Sequence, residues 1–239
     1  MRGWWREIAG LVLPVACGGC GRPRTELCDE CAAGLSAGPS RVRPAPEPAG
    51  LPPVHAAAPY ENAVRAMLLA HKERGVLGLA GVLGGALAGA VRAGAGHAGD
   101  ADPLLLVPVP SARRATAGRG HDPARRIAAA GAAELRRGGT RARVLAVLRQ
   151  RRAVADQSGL GARERQANLA GALVVADGGR RLLDGGRVVL VDDLLTTGST
   201  LAEAARAVRA TGCVGDGTAE GFRAAVVAAS PSAFEINRN

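Results

Sequence analysis

The densest chemistry in the sequence lies between residues 188 and 200, where Val188-Val-Leu-Val191 runs into Asp192-Asp193-Leu-Leu-Thr196-Thr197-Gly198-Ser199-Thr200. An apolar run of this kind suits a strand buried on both faces, and Leu201, Ala204, Ala205 and Val208 follow at helical spacing. Loop amides and the positive end of a helix then face whatever lies above the strand, which is an anion site suited to a phosphate. The helix dipole supplies only about 0.3–1 kcal/mol, so the loop amides and the hydroxyls of Thr196, Thr197, Ser199 and Thr200 must provide most of the grip. Gly198 lets the backbone approach closely, because no Cβ stands in the way. Successive strand residues face opposite ways, so Asp192 and Asp193 reach one ligand only where the strand ends and the chain turns. There they can accept hydrogen bonds from vicinal ribose hydroxyls. Thr200 and Glu203 have capping-box spacing, which places the helix start at about Leu201.

A second constellation is Cys17-x2-Cys20 and Cys28-x2-Cys31, with Cys213 left over as a small buried residue near a helix end. An odd thiol fits an intramolecular disulfide framework poorly, and paired C-x-x-C spacing reads as metal ligation in a reducing cytoplasm. Four thiolates close a tetrahedral zinc site with no open position. Its role is therefore structural, the metal standing in for a core that so short a segment cannot build.

The third feature is charge. The chain has 239 residues, 31 of them basic and 21 acidic, for a net +10, and Lys72 is its one lysine. Between Arg113 and Arg165 fourteen arginines meet four acids, Asp122, Glu134, Asp156 and Glu164, so the whole excess sits in that segment. Only Trp4, Trp5, Tyr60, Phe222 and Phe234 are aromatic. That is short of the array of rings a base-stacking platform for single strands needs, so nucleic-acid binding is expected to rest on arginine and phosphate.

The elements that must position these groups alternate in type. Val64, Met67, Leu68 and His71 form a helical stripe ending near Lys72, Leu104 to Val109 reads as a buried strand, and Asp122-Pro123 caps a helix running to about Arg137. Val144 to Leu148, Ala172 to Val175, Val188 to Val191 and Ala224 to Ala228 are further strand candidates. Buried strands alternating with helices argue an α/β fold with a parallel sheet. A hydrophobic content of 47% is ample for a core. The length suits one such domain with a small appendage: a cysteine module at 1–37, a linker at 38–59 marked by seven prolines, and the main domain at 60–239. Gly75 to Val91 is uncharged, but six glycines among those residues suit a helix packed on a sheet better than a membrane span. Met1 to Ala16 mimics a signal peptide, yet its apolar run is short and cleavage would fall beside the first cysteine, so a cytoplasmic location is expected.

Residues 188–200 resemble the phosphoribosyl-diphosphate (PRPP) motif of type I phosphoribosyltransferases. The surrounding blocks narrow the likeness to the ComF family, the ComFC- and GntX-like proteins linked to DNA uptake. They are Pro14 ahead of C-x-x-C, Tyr60 before the helix that ends at Lys72, Val107-Pro-Val-Pro110, Arg119-Gly-His-Asp122, and Gln157-Ser158 with Glu164-Arg165 and Asn168. The resemblance implies a type I phosphoribosyltransferase (Rossmann-like) fold with a small N-terminal zinc-ribbon-like module holding structural zinc on Cys17, Cys20, Cys28 and Cys31. It implies PRPP or a related phosphosugar, bound with Mg²⁺, at Asp192, Asp193, Thr196, Thr197, Gly198, Ser199 and Thr200. The diphosphate would meet Arg113, Arg114 and Arg119 in the loop after the Leu104 to Val109 strand. Arg149, Arg151 and Arg152 fall where type I transferases carry a mobile lid, though a charged surface hairpin is an equal reading. Single-stranded DNA and a helicase-type competence partner follow from the family link. Thr196 stands where many purine transferases place an aspartate base, and the lid lysine of other members is missing. Binding of PRPP is thus better supported than turnover. Gly215 to Arg223 makes a longer connection into the last strand than the family's usual tight one.

Overall fold

A computed structural model describes residues 16–36, 38–95, 102–111, 122–152, 154, 161–213 and 222–235. After a short helix α1 (Asp29–Ala33) come β1 (Ser40–Val42), β2 (Val54–Pro59), α2 (Asn62–Glu73), a 3₁₀ turn at Leu77–Leu79, α3 (Ala80–Ala95), β3 (Leu104–Pro108) and α4 (Pro123–Arg137). The chain continues through β4 (Ala142–Val144), β5 (Leu148–Gln150), α5 (Ala162–Leu169), β6 (Leu173–Val175), α6 (Gly179–Leu183), β7 (Arg187–Leu195), α7 (Ser199–Arg209), β8 (Arg223–Ala229) and α8 (Ser232–Glu235).

Six strands form one sheet in the order β1-β2-β8-β7-β3-β4, parallel except for the edge strand β1. Alternation along the strands splits the core. Leu104, Leu106, Val189, Val191, Ala225 and Val227 face α2, α3 and α4, whereas Leu105, Val107, Val188, Leu190, Val226 and Ala224 face α7. Helices on both faces and near-continuous apolar strands are what a parallel sheet demands. The fold is therefore α/β, as the alternation of elements implies.

Several expectations hold to the residue. Val64, Met67, Leu68 and His71 are all buried on α2, and Asp122 caps α4 by accepting a hydrogen bond from the Arg125 N–H at 3.2 Å. The apolar helix expected on the sheet is α3, whose Leu83, Leu87, Ala88 and Val91 are buried. By length and composition Leu77–Ala95 would suffice to cross a membrane, but it packs on α4 and on β2 and β8. A Cβ at Gly84 would come within 2.4 Å of the Ala130 Cβ, so the glycine is what lets α3 and α4 approach so closely.

The structure corrects others. The Pro-rich stretch read as a linker supplies β1 and β2, and β2 pairs in parallel with β8, so the sheet begins well before Tyr60. Val42, Val54 and Ala56 are buried there. The strand signal is faint because β2 is Val54-His-Ala-Ala-Ala-Pro59, with one β-branched residue among alanines, and alanine has little intrinsic preference for strands. As a consequence β8 lies inside the sheet, and the connection before it, of which 214–221 lie outside the described residues, does not lead to an edge. Val144 to Leu148 is not one strand: β4 ends at Val144, and β5 leaves the sheet to pair antiparallel with β6.

Candidate functional site

The chain leaves β3 in one direction, through α4 to β4, and leaves β7 in the other, through α7 to β8. Ligand crevices of open α/β sheets form at such a reversal, beyond the carboxyl ends of the two strands. Pairing sharpens the point. β3 accompanies β7 only as far as Pro108 opposite Val191, with the Val109 N–H donating to the Val191 carbonyl at 2.9 Å. On its other flank β7 stays paired with β8 through Leu195 opposite Ala229. Asp192 to Leu195 therefore overhang β3 with one flank open, beside the loop that departs at Pro110-Ser111. Arg113, Arg114 and Arg119 belong to that loop and lie outside the described residues.

The motif strand is longer than expected, since β7 continues through both aspartates to Leu195; the two carboxyls meet not at a strand end but because Asp192 folds back toward Asp193. The Asp192 Oδ1 accepts the Asp193 N–H at 2.8 Å, which folds the Asp192 carboxyl back against its neighbour. Burial, and then the Asp193 charge, push the Asp192 carboxyl well above its ordinary value of 3.8, with Lys72 pulling partly the other way. Lys72 is the residue that sequence reasoning missed at this site. Its Nζ lies 2.9 Å from Asp193 Oδ2, with side-chain exposures of 34% and 9%. The signal available was compositional: a chain that uses arginine at every other basic position keeps one lysine, a compact point charge rather than a planar fork.

Gly198 adopts φ 76°, a left-handed conformation that a side chain would strain, and a Cβ there would also meet Leu51 at 3.0 Å. Thr196 is exposed, Thr197 and Thr200 are half-buried, and Ser199 is buried. The hydroxyls of Thr197 and Ser199 lie 3.1 Å apart. Helix α7 starts at Ser199, two residues earlier than the capping-box spacing implied, so its first-turn amides open toward the crevice. Glu203 has a different task from capping. It accepts the Leu173 N–H at 2.9 Å and pairs with Arg206 at 2.7 Å, while Arg206 also donates to the Leu173 carbonyl. Burial alone would raise the Glu203 carboxyl, but Arg206 and the Leu173 amide hold it below its usual value. This network fastens the antiparallel β5–β6 pair to the motif helix. Arg152, from the expected lid position, donates to the carbonyls of Asn168 and Ala170, both at 2.8 Å. Arg149 stands on β5 and Arg151 directly after it, and 153 and 155–160 of the connection that follows lie outside the described residues.

The four N-terminal cysteines converge. Their sulfurs lie within 4.8 Å of one another, with Cys17 to Cys28 at 3.7 Å and Cys20 to Cys28 at 3.6 Å. A tetrahedron with Zn–S bonds of about 2.3 Å has edges of about 3.8 Å, whereas a disulfide needs about 2.05 Å. The donor set therefore fits a four-thiolate zinc site. Although burial opposes ionisation of Cys17, hydrogen bonds from the backbone of Cys20, Cys28 and Gly19 lower its thiol to about 6. Burial, and then hydrogen bonds to its three sulfur neighbours, raise the Cys31 thiol. The module is docked rather than tethered: Leu27 and Leu35 join the main core, and Ala63 of α2 packs on the cysteines.

Comparison with known proteins agrees with this architecture. Residues 127–233 match the family model described as a phosphoribosyl transferase domain, a span that holds Asp192 to Thr200 and runs from α4 to α8. The matched span, similar to a phosphoribosyl transferase domain, thus lies on an α/β sheet that also carries a small four-cysteine module able to bind zinc. No curated protein matches the chain.

The raised Asp192 carboxyl has a measurable consequence. Its folded value exceeds its unfolded one, so its contribution to stability is fully present below about pH 4 and is lost as pH rises through the folded value. Asp192→Asn should therefore melt higher than wild type at neutral pH, with the difference vanishing on acidification toward the ordinary carboxyl value. Thermal melts across that range check it, and a constant difference between the two proteins would refute it.

Proposed function

We propose that the chain is a ComF-type protein that binds PRPP with Mg²⁺ in the β3–β7 crevice and handles single-stranded DNA during uptake. The open flank of β7 carries the PRPP reading: two acids, a hydroxyl-rich loop and a helix start converge beside the loop leaving β3. In this reading Asp192 and Asp193 accept the ribose hydroxyls. Thr196, Thr197, Ser199 and Thr200, with the amides around Gly198, hold a ligand phosphate. Arg113, Arg114 and Arg119 take the diphosphate, and Mg²⁺ offsets its charge. Lys72 keeps the two acids from repelling an anionic ligand. The arginine excess with few aromatics supports a strand held by its phosphates, without preference among bases. A cytoplasmic setting and a helicase-type partner belong to the same reading.

One observation favours active transfer as a second reading, namely the placing of the single lysine beside the acid pair. Transfer would break the bond between the anomeric carbon and diphosphate while an acceptor nucleophile forms the new one, catalysis coming from stabilising the departing diphosphate and positioning the acceptor. Isothermal titration with PRPP and Mg²⁺ tests the first reading, and saturable binding is expected. Absence of binding overturns it. Diphosphate release with a nucleobase present would establish the second.

A further inference from the structure

The arginine-rich segment is contiguous in sequence but divided in space. Helix α4 begins at the carboxyl edge of the sheet, after the loop from β3, and its 15 residues carry the chain about 22 Å back to the amino edge, where β4 starts. Arg136, Arg141 and Arg143 therefore stand at the pole opposite the crevice. There they line an open cavity of about 460 Å³ together with Pro103, Thr140 and Gly185. Two of the three guanidinium groups are anchored, Arg136 on the Ala142 carbonyl at 2.8 Å and Arg143 on the Gly185 carbonyl at 3.4 Å. A guanidinium has five N–H donors, so each anchored group keeps donors for a ligand, already ordered. Arg141 makes no side-chain hydrogen bond among the described residues. No acid is among the lining residues. Glu134 at the end of α4 is held by Arg137, and Asp102 and Asp184 adjoin the lining at Pro103 and Gly185.

We infer that this amino-edge cavity is a phosphodiester-binding face, so that a single strand and PRPP occupy opposite poles of the sheet at the same time. The inference rests on the single-strand reading above and has strand and PRPP bound simultaneously. Arginine forks around an acid-free concavity match the oxygens of a phosphate backbone, and the shortage of aromatic rings again predicts indifference to base identity.

Fluorescence anisotropy of an oligo(dT) strand on the full chain tests it. If about five phosphates are neutralised, the slope of log K against log[salt] is near −3.5, and affinity falls about 130-fold between 50 and 200 mM salt. The triple variant Arg136→Gln/Arg141→Gln/Arg143→Gln should reduce the slope to about −1.4 and that fall to about 7-fold. Because Arg136 and Arg143 also tie down backbone carbonyls, Arg141→Glu alone provides a variant that disturbs no anchor and should weaken binding in the same direction. Saturating PRPP should leave the oligo(dT) affinity unchanged. Wild-type slope in both variants, or displacement of the strand by PRPP, overturns the amino-edge face while leaving single-strand binding itself intact. A wild-type protein without salt-dependent binding overturns both.

Discussion

Serine in place of Cys28 should strip the metal from the N-terminal module and unfold it. The Cys28 sulfur is close to two others, at 3.7 Å from Cys17 and 3.6 Å from Cys20, and its own N–H donates to the Cys17 sulfur. Binding of a structural zinc by small modules is worth about 10–16 kcal/mol and is largely folding energy, so losing a ligand removes most of what holds the module together. The damage should spread, because Leu27 and Leu35 pack into the main core and Ala63 of α2 packs on the cysteines. A loss of even about 3 kcal/mol to the main domain lowers Tm by about 6–12 °C in a chain of this size. Elemental analysis should find one zinc per wild-type chain and little in the variant, and the melts should show the drop. A metal-free wild type, or a variant that melts with the wild type, would remove the zinc assignment.

Alanine in place of Asp193 should weaken PRPP binding by about 10- to 150-fold, the value of one charge-assisted hydrogen bond of about 1.5–3 kcal/mol. The fold should tolerate the change, since the Lys72 ammonium left behind is a third exposed and can hydrate. Lys72→Met is expected to weaken binding as well, because the two acids would then face an anionic ligand uncompensated. The pair touches directly, so the losses in the double variant should fall short of their sum. Calorimetric titration of the four proteins decides the matter. Unchanged affinity in Asp193→Ala would remove the acid pair from the site, and strictly additive losses would remove Lys72 from its partnership.

How legible these features were depended on how local their causes are. The stripe on α2, the Asp122 cap and the buried run of β3 were readable because each is set by residues a few positions apart. The cysteine spacing was readable because metal ligation needs particular atoms at a particular separation. By contrast β2 gives little local signal, with Val54 as its one strand-favouring residue beside three alanines and a histidine, and it is a strand because β8 offers it a parallel partner. Reading that stretch as a linker followed from its prolines, which here flank the strands rather than interrupt them. The helix start at Ser199 was missed for a similar reason. Glu203 has the spacing of a capping residue, but its carboxylate is drawn instead to the Leu173 amide, thirty residues earlier in the chain.

What the sequence determined by itself was the chemistry on offer: an acid pair running into a hydroxyl-rich glycine loop, four paired thiols, and a charge excess confined to one segment. These are properties of residue type and short spacing, and they survive any tertiary arrangement. Only the tertiary structure decided which groups meet. It brought Lys72 from the end of α2 to Asp193, and it left β7 overhanging β3 so that the acids face an opening. It also carried Arg136, Arg137, Arg141 and Arg143, at and just beyond the end of α4, to the far edge of the sheet. The physical reason is the same in each case. Strand pairing and helix packing act between residues far apart in the chain, and their geometry, not local spacing, sets where a charge finally stands.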